Sequence, residues 1–302
     1  MSIHNRIQDL QNQIQETKKL LSLVVGHPIM EPSLKERLAI LEEELSAIPK
    51  NIPESKIRLL FSGDAVVGSL GIKSDFVSKT IKPLQELIKT QTAIVKFGQV
   101  GQRGKAKKSS ISELYLTALP TGSFGYELSL LDPSDLFDEE DVSKSIQDVV
   151  KILEGTAKSD DNFQQIVGDM SKRAFNNLSA FFKEVANENS ILKLDSGTTH
   201  IELTATDVKN GYVRVSSTQY EETPIVIKGI FKGILLDSGK FEIINDEGLP
   251  IRGDVDDSLD TDILTEYNKE FTNEECTIHL QENLTIFNEH KRRLKYVLLQ
   301  IK

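Results

Sequence analysis

The chain has 302 residues, 38% hydrophobic and 27% charged, which is enough apolar content for two domains or one domain with an extension and too much for wholesale disorder. A formal net charge of −10, no tryptophan and only 6% aromatic residues weigh against sugar clefts and base-stacking platforms. Nucleic acid would need a local basic patch working against the global field. The single cysteine, Cys276, excludes an internal disulfide and a thiolate metal cage within one chain; it sits in an alternating run, Cys276 to Leu280, that reads as a strand with a buried thiol.

The first predicted element is a helix whose apolar seam, Ile3, Ile7, Leu10, Ile14, Leu21 and Val24, runs in steps of four and three with Thr17 as its polar interruption. Gly26 and Pro28 stop it. A second helix is expected to start at the capping box Ser33-Leu34-Lys35-Glu36, with the stripe Leu34, Leu38, Leu41, Leu45 and Ile48. Together they predict an antiparallel, coiled-coil-like hairpin over residues 1–50. Such a hairpin buries only a narrow stripe, so it must pack on the body or on another copy. Self-association through Ile3, Ile7, Leu10, Ile14, Leu21, Leu34, Leu38, Leu41 and Leu45 is the expectation.

Residues 56–222 read as a mixed α+β domain. Ile57 to Phe61 is a strand, and a glycine-rich stretch from Gly63 to Gly71 leads to a helix from Ser74 or Asp75. Pro83 inside that helix predicts a kink or a late start. Leu114 to Leu116 and Tyr126 to Leu130 form a hairpin about Pro120 to Ser123. Helices follow at Asp138 to Leu153, with an acidic first turn suited to the helix dipole, and at Lys172 to Asn187.

From residue 223 onward the pattern changes to short strands punctuated by glycine: Ile225 to Leu236, Lys240 to Ile244, Leu249 to Val255, Glu275 to Leu284 and Tyr296 to Ile301, with a helix near Asp260 to Phe271. About five strands in some 80 residues predict a small closed barrel of SH3-like or OB-like type over 223–302. The fold class is therefore α+β in three parts.

Gly63-x-x-x-x-Gly68-Ser69 has the context of a phosphate loop but lacks its lysine, so a structural turn is the plainer reading. Arg103, Lys105, Lys107 and Lys108 form the strongest basic run; a solvated loop and a nucleic-acid contact both fit it. Lys291, Arg292 and Arg293, beside His290 and Lys295, form a second cluster, read as a turn between barrel strands. The aspartates from Asp254 to Asp262 lack the glycine and glutamate of an EF-hand. Five scattered histidines show no HExxH, and there is no G-x-S-x-G elbow. No cofactor and no metal site are expected. A metal-dependent nuclease of dispersed carboxylates stays open because its signature is too short to read.

Two stretches carry a resemblance. Phe61 to Ile72 resembles an F-x-G-x-x-V-x-G-S-x-G-I pattern, and Gly122 to Leu128 a G-S-F-G-aromatic-x-L hairpin, of an uncharacterised bacterial family. The likeness spans residues 56–190. It implies no activity and suggests accessory proteins of bacterial defence or mobile-element loci.

The reading is a non-catalytic scaffold or regulatory protein, a homo-oligomer that binds a protein partner. The expected contacts are Gly63, Val66, Gly68, Ser69, Gly71, Gly122, Ser123, Phe124 and Gly125, together with the barrel. The alternative is nucleic-acid recognition through Arg103, Lys105, Lys107, Lys108, Lys291, Arg292 and Arg293. No apolar run nears the about 20 residues that cross a bilayer, and no leader-like segment opens the chain, so no membrane contact and a cytoplasmic location are expected.

Overall fold

The structure, a computed structural model, describes residues 3–48, 54–68, 70–97, 112–120, 124–131, 136–256, 258–287 and 291–302. It is an α+β protein with two helices at the N-terminus and a closed five-stranded barrel at the C-terminus. None of its helices is long and apolar enough, among the described residues, to cross a membrane.

Helices α1 (Ile3–Leu23) and α2 (Met30–Ala47) lie side by side, with Lys18 and Glu42 paired across them at 2.8 Å. The predicted seams face each other. Leu10, Ile14 and Leu41 are buried, with Leu38, Leu45 and Ile48 packed around them, and the Thr17 hydroxyl donates to the Gln13 carbonyl at 2.7 Å. Only residues of α1, α2 and Ile48 belong to this cluster.

The start of α2 departs from expectation. It begins at Met30, with no side-chain cap from Ile29, and Ser33 lies inside the helix. The free N–H of Met30 is met by His27 Nδ1 at 3.2 Å, while Glu31 accepts from Gly26 N at 2.6 Å and pairs with Lys35. Pro32 has no N–H to satisfy, so it sits without cost in a first turn that opens two residues before it, and the serine cap is not needed.

The body is a five-stranded antiparallel sheet under a layer of helices. The strands are β1 (Lys56–Ser62), β4 (Tyr115–Ala118), β5 (Phe124–Ser129), β6 (Ile191–Ser196) and β7 (Thr199–Leu203), in the order β4-β5-β1-β6-β7; β2 (Val66–Val67) and β3 (Gly71–Ile72) form a separate small hairpin. The helices are α3 (Ser74–Phe97), α4 (Leu136–Lys158), α5 (Asp160–Asp169), α6 (Lys172–Asn187) and α7 (Ala205–Ser216). Alternation along β1 turns Ile57, Leu59 and Phe61 to the core, where they meet Leu84 and Ile88 of α3, Ile146 and Val150 of α4, and Phe181 and Phe182 of α6. Helix α3 starts at Ser74, so Pro83 sits within it rather than delaying its start. Residues 154–171 and 188–218, not assigned above, supply α5, β6, β7 and α7, the last opened by a reciprocal box between Thr204 and Asp207.

The barrel strands are β8 (Gln219–Leu235), β9 (Lys240–Asn245), β10 (Pro250–Val255), β11 (Glu275–Phe287) and β12 (Lys291–Ile301), with α8 (Thr261–Phe271) between β10 and β11. They close in the order β10-β12-β11-β8-β9, with β10 and β12 parallel. Phe231, Phe241, Ile243, Ile278, Leu280 and Leu298 fill the interior. β8 and β11 are longer than a small barrel needs, and their ends reach the body. Phe287 packs edge-on to Phe163 of α5 at 6.0 Å, and Tyr220 stacks on Phe175 of α6 at 6.2 Å.

Candidate functional site

The barrel carries a groove of about 890 Å³, lined by Lys232 to Leu235 of β8, Lys240 to Glu242 of β9, Arg252 to Asp254 of β10, Lys295 of β12, and Asn268 and Thr272 on the α8 side. Strand alternation explains the lining. Because Phe241 points into the core, Lys240 and Glu242 point outward. Their register partners across β10 are Asp254 and Arg252, and across β8 they are Leu235 and Gly233. Asn268 accepts from Ile234 N at 2.8 Å and donates to Ile234 O at 2.9 Å, so α8 satisfies the β8 backbone at this end of the groove.

Four basic side chains, Lys232, Lys240, Arg252 and Lys295, outnumber the two acids, Glu242 and Asp254. Arg252 Nε bonds Glu242 at 2.8 Å, Lys232 Nζ donates to Asn273 Oδ1 at 3.0 Å, and Asp254 holds both Lys240 and, at 3.4 Å, Lys295. Burial pushes the Asp254 carboxyl up, but the hydrogen bond from Lys240 and the charges of Lys295 and Lys240 outweigh it and leave it below the usual carboxylate range. The carboxylate thus stays ionised and pre-positions two lysines. With these donors and Leu235 exposed on the rim, the groove is suited to an acidic, partly apolar ligand. Among the described residues, no three His, Cys, Asp or Glu side chains are grouped to hold a metal ion.

A second charged set crosses the sheet face opposite the helices. Glu127, Arg58, Asp195 and His200 are successive register partners on β5, β1, β6 and β7. Arg58 reaches Glu127 at 2.9 Å and His200 Nδ1 lies 2.5 Å from Asp195. Glu127 and Asp195 are buried in this row, and each carboxylate has its partner on the neighbouring strand, Arg58 and His200.

The expected contact loops have structural roles of their own. Gly63 has φ of +135°, and a Cβ there would meet the Glu188 carbonyl at 2.7 Å; Asp64 N donates to that same oxygen, and Asn189 bonds Asp64. A Cβ on Gly125 would sit 1.8 Å from the Leu59 carbonyl oxygen. Both glycines serve close backbone approach. Phe124 is half-buried in β5, and Val66 packs against the body core. The hairpin tip near Gly68 and Gly71 exposes Val67 and Leu70 instead. The next helix starts only at Ser74, after β2 and β3, so Gly68 does not lie at a helix N-terminus as a phosphate loop requires. Ser69, Gly122 and Ser123 lie outside the described residues, as do Arg103, Lys105, Lys107 and Lys108.

The second basic cluster is not a turn. Lys291, Arg292 and Arg293 open β12, and alternation puts Arg292 and Arg293 on opposite faces. The Arg293 guanidinium lies over Gly168 of α5, where a Cβ would come within 1.8 Å of Nη1, so it belongs to the junction between barrel and body. The aspartates also have local tasks: Asp256 accepts from Ser258 N, Asp260 caps α8, and Asp254 belongs to the groove. Lys232, Lys240 and Arg252 were not among the residues expected to bind. Each alternates with apolar residues on its own strand, which reads as a solvated face until the strand order brings them together. No protein-family model matches the chain, nor does any curated protein or solved structure.

Proposed function

We propose that the protein is a non-catalytic scaffold that self-associates through its N-terminal hairpin and takes an acidic partner segment in the barrel groove. The observation that carries this reading is the excess of basic side chains in that groove on a chain of net charge −10. A locally basic cleft on an acidic molecule steers an anionic ligand to one place. The coiled-coil-like seam supports self-association. A lone helix pair covers its seam from one side, and Ile7, Leu21, Leu34, Leu38 and Leu45 stay half-exposed. A place beside bacterial defence systems, implied by the motif resemblance, belongs to the same proposal.

Nucleic acid is the second reading, favoured by the strand order. Five strands closing as first-second-third-fifth-fourth, with a helix between third and fourth, support an OB-like reading, and in OB folds the face of strands two and three binds oligonucleotides. The groove lies on that face, β9 and β10. Its one aromatic residue, Phe241, is buried in the barrel core and offers no stacking platform, which is why the acidic protein segment comes first.

Fluorescence anisotropy of labelled polyglutamate and of an oligothymidylate against the full chain separates the two. Polyglutamate binding that weakens with salt and with Arg252→Glu supports the scaffold reading. Preference for the oligothymidylate moves nucleic acid to first place, and no binding of either at low salt removes the groove as a site.

A further inference from the structure

The seam of α2 is turned to α1, but the opposite side of the same helix has a composition of its own. Glu36, Ile40, Glu43 and Ala47 recur at helical spacing two residues out of step with Leu34, Leu38, Leu41 and Leu45, which places them about 200° around the helix. All four are exposed, Ile40 by 52%, and Glu44 lies beside them. Glu31 and Glu42 have lysine partners, whereas Glu36, Glu43 and Glu44 make no ion pair among the described residues. An acidic stripe with one large apolar side chain in its middle is left facing away from its own hairpin.

The groove has an excess of the opposite charge: four cations against Glu242 and Asp254, with Leu235, 67% exposed, on its rim. The dimensions agree as well. From β8 across β9 and β10 to β12 there are three inter-strand steps, about 14 Å. From Glu36 to Glu43 or Glu44 the helix rises about 11 Å. We propose that the groove of one copy receives the outer face of α2 from a second copy, with Glu36, Glu43 and Glu44 against Lys232, Lys240, Arg252 and Lys295 and with Ile40 against Leu235. Exchange in both directions gives a closed two-fold dimer in which each chain offers the same two surfaces. Among the described residues, the hairpin keeps its small core to itself and shares no hydrophobic cluster with the barrel of its own chain. A helix pair this marginal gains stability when its free face is covered.

This inference rests on the proposed self-association and names the surfaces that carry it. The test is the mass of the full-length chain by light scattering behind size exclusion over a range of concentrations, with the 260/280 nm absorbance ratio recorded. Lys232→Glu with Arg252→Glu reverses two exposed groove charges, and Glu36→Lys with Glu43→Lys reverses the helix. A dimer in the wild type is expected, with each double variant weakening it by at least about tenfold. Mixing the two variants should restore it, because acidic groove then meets basic helix and wild-type groove meets wild-type helix. Recovery on mixing also shows that neither variant merely failed to fold. Both variants keeping the wild-type mass overturns the inference and leaves self-association standing through the hairpin seam. A wild type monomeric at every concentration removes self-association and the inference together. Strong 260 nm absorbance stripped by 1 M salt overturns it in favour of nucleic acid in the groove.

Discussion

The N-terminal hairpin and the body are both built on helices with regular apolar stripes, yet they bury very differently. In the hairpin, three apolar side chains are buried, none of them completely, and Leu23, Val25 and Ile29 at the tip are at least 76% exposed. In the body, α6 alone buries Phe175, Leu178, Phe181, Phe182 and Val185. A helix stripe is only half of an interface. The stripe of α6 meets both α3 and α7 within one large core, whereas the buried side chains of α1 pack, among the described residues, only against α2 and Ile48. The body therefore has a core that stabilises itself, and the hairpin is an arm whose remaining apolar and acidic surface is available to another molecule.

The sharpest way to break this comparison is by cavity. Phe182→Ala, at a site with no exposure, should cost about 3–5 kcal/mol and lower the melting transition of the whole chain, read by calorimetry. Phe287→Ala should cost about 3 kcal/mol, the low end for a buried phenylalanine, and act differently, because Phe287 joins the barrel to the body through Phe163. Native-state hydrogen exchange should then rise at the ends of β8, β11 and β12 and leave the middle of the barrel protected. Leu41→Ala is expected to cost about 2 kcal/mol and to raise exchange in α1 and α2 with the main transition unmoved. A shift of the main transition as large as that from Phe182→Ala would show that the hairpin is part of the body after all.

The smallest effect expected is electrostatic. The pKa of Asp254 is lowered in the folded state, so its ionised form stabilises the barrel above the unfolded value of about 3.9, and that contribution is lost as pH falls through the lower folded value. The barrel should therefore loosen on acidification below about pH 4, and Asp254→Asn should flatten that limb in an acid titration followed by circular dichroism. An unchanged acid limb in the variant would mean that other carboxylates set it.

Much of the fold was legible because helix and strand periodicity is a local property. The stripe of α6, the hairpin seam, the acidic entry to α4 and the run of short barrel strands follow from spacing alone. The β6–β7 hairpin and α7 are also written plainly, in the alternation of Ile191 to Ser196 and in Thr204 with Asp207. The start of α2 at Met30 is not legible in the sequence because the serine box is a local motif. The competing cap, His27 with Glu31, depends on how the loop folds back.

The groove was not legible, for a physical reason. Lys240 and Arg252 each look like one polar residue on a strand, and what joins them is the pairing of Glu242 with Arg252 and of Lys240 with Asp254. Lys295 enters only because β12 runs parallel to β10, across an intervening helix and a further strand. In the same way, the Gly63 and Gly125 loops look like contact surfaces in the sequence, and only the approach of Glu188 and Leu59 reveals why glycine stands there. The amino-acid sequence by itself determined which segments are helices and strands and which faces are apolar, since those depend on neighbours a few residues away. Which charges share a surface, and which apolar faces are left uncovered, was decided only by tertiary pairing, which joins residues far apart along the chain.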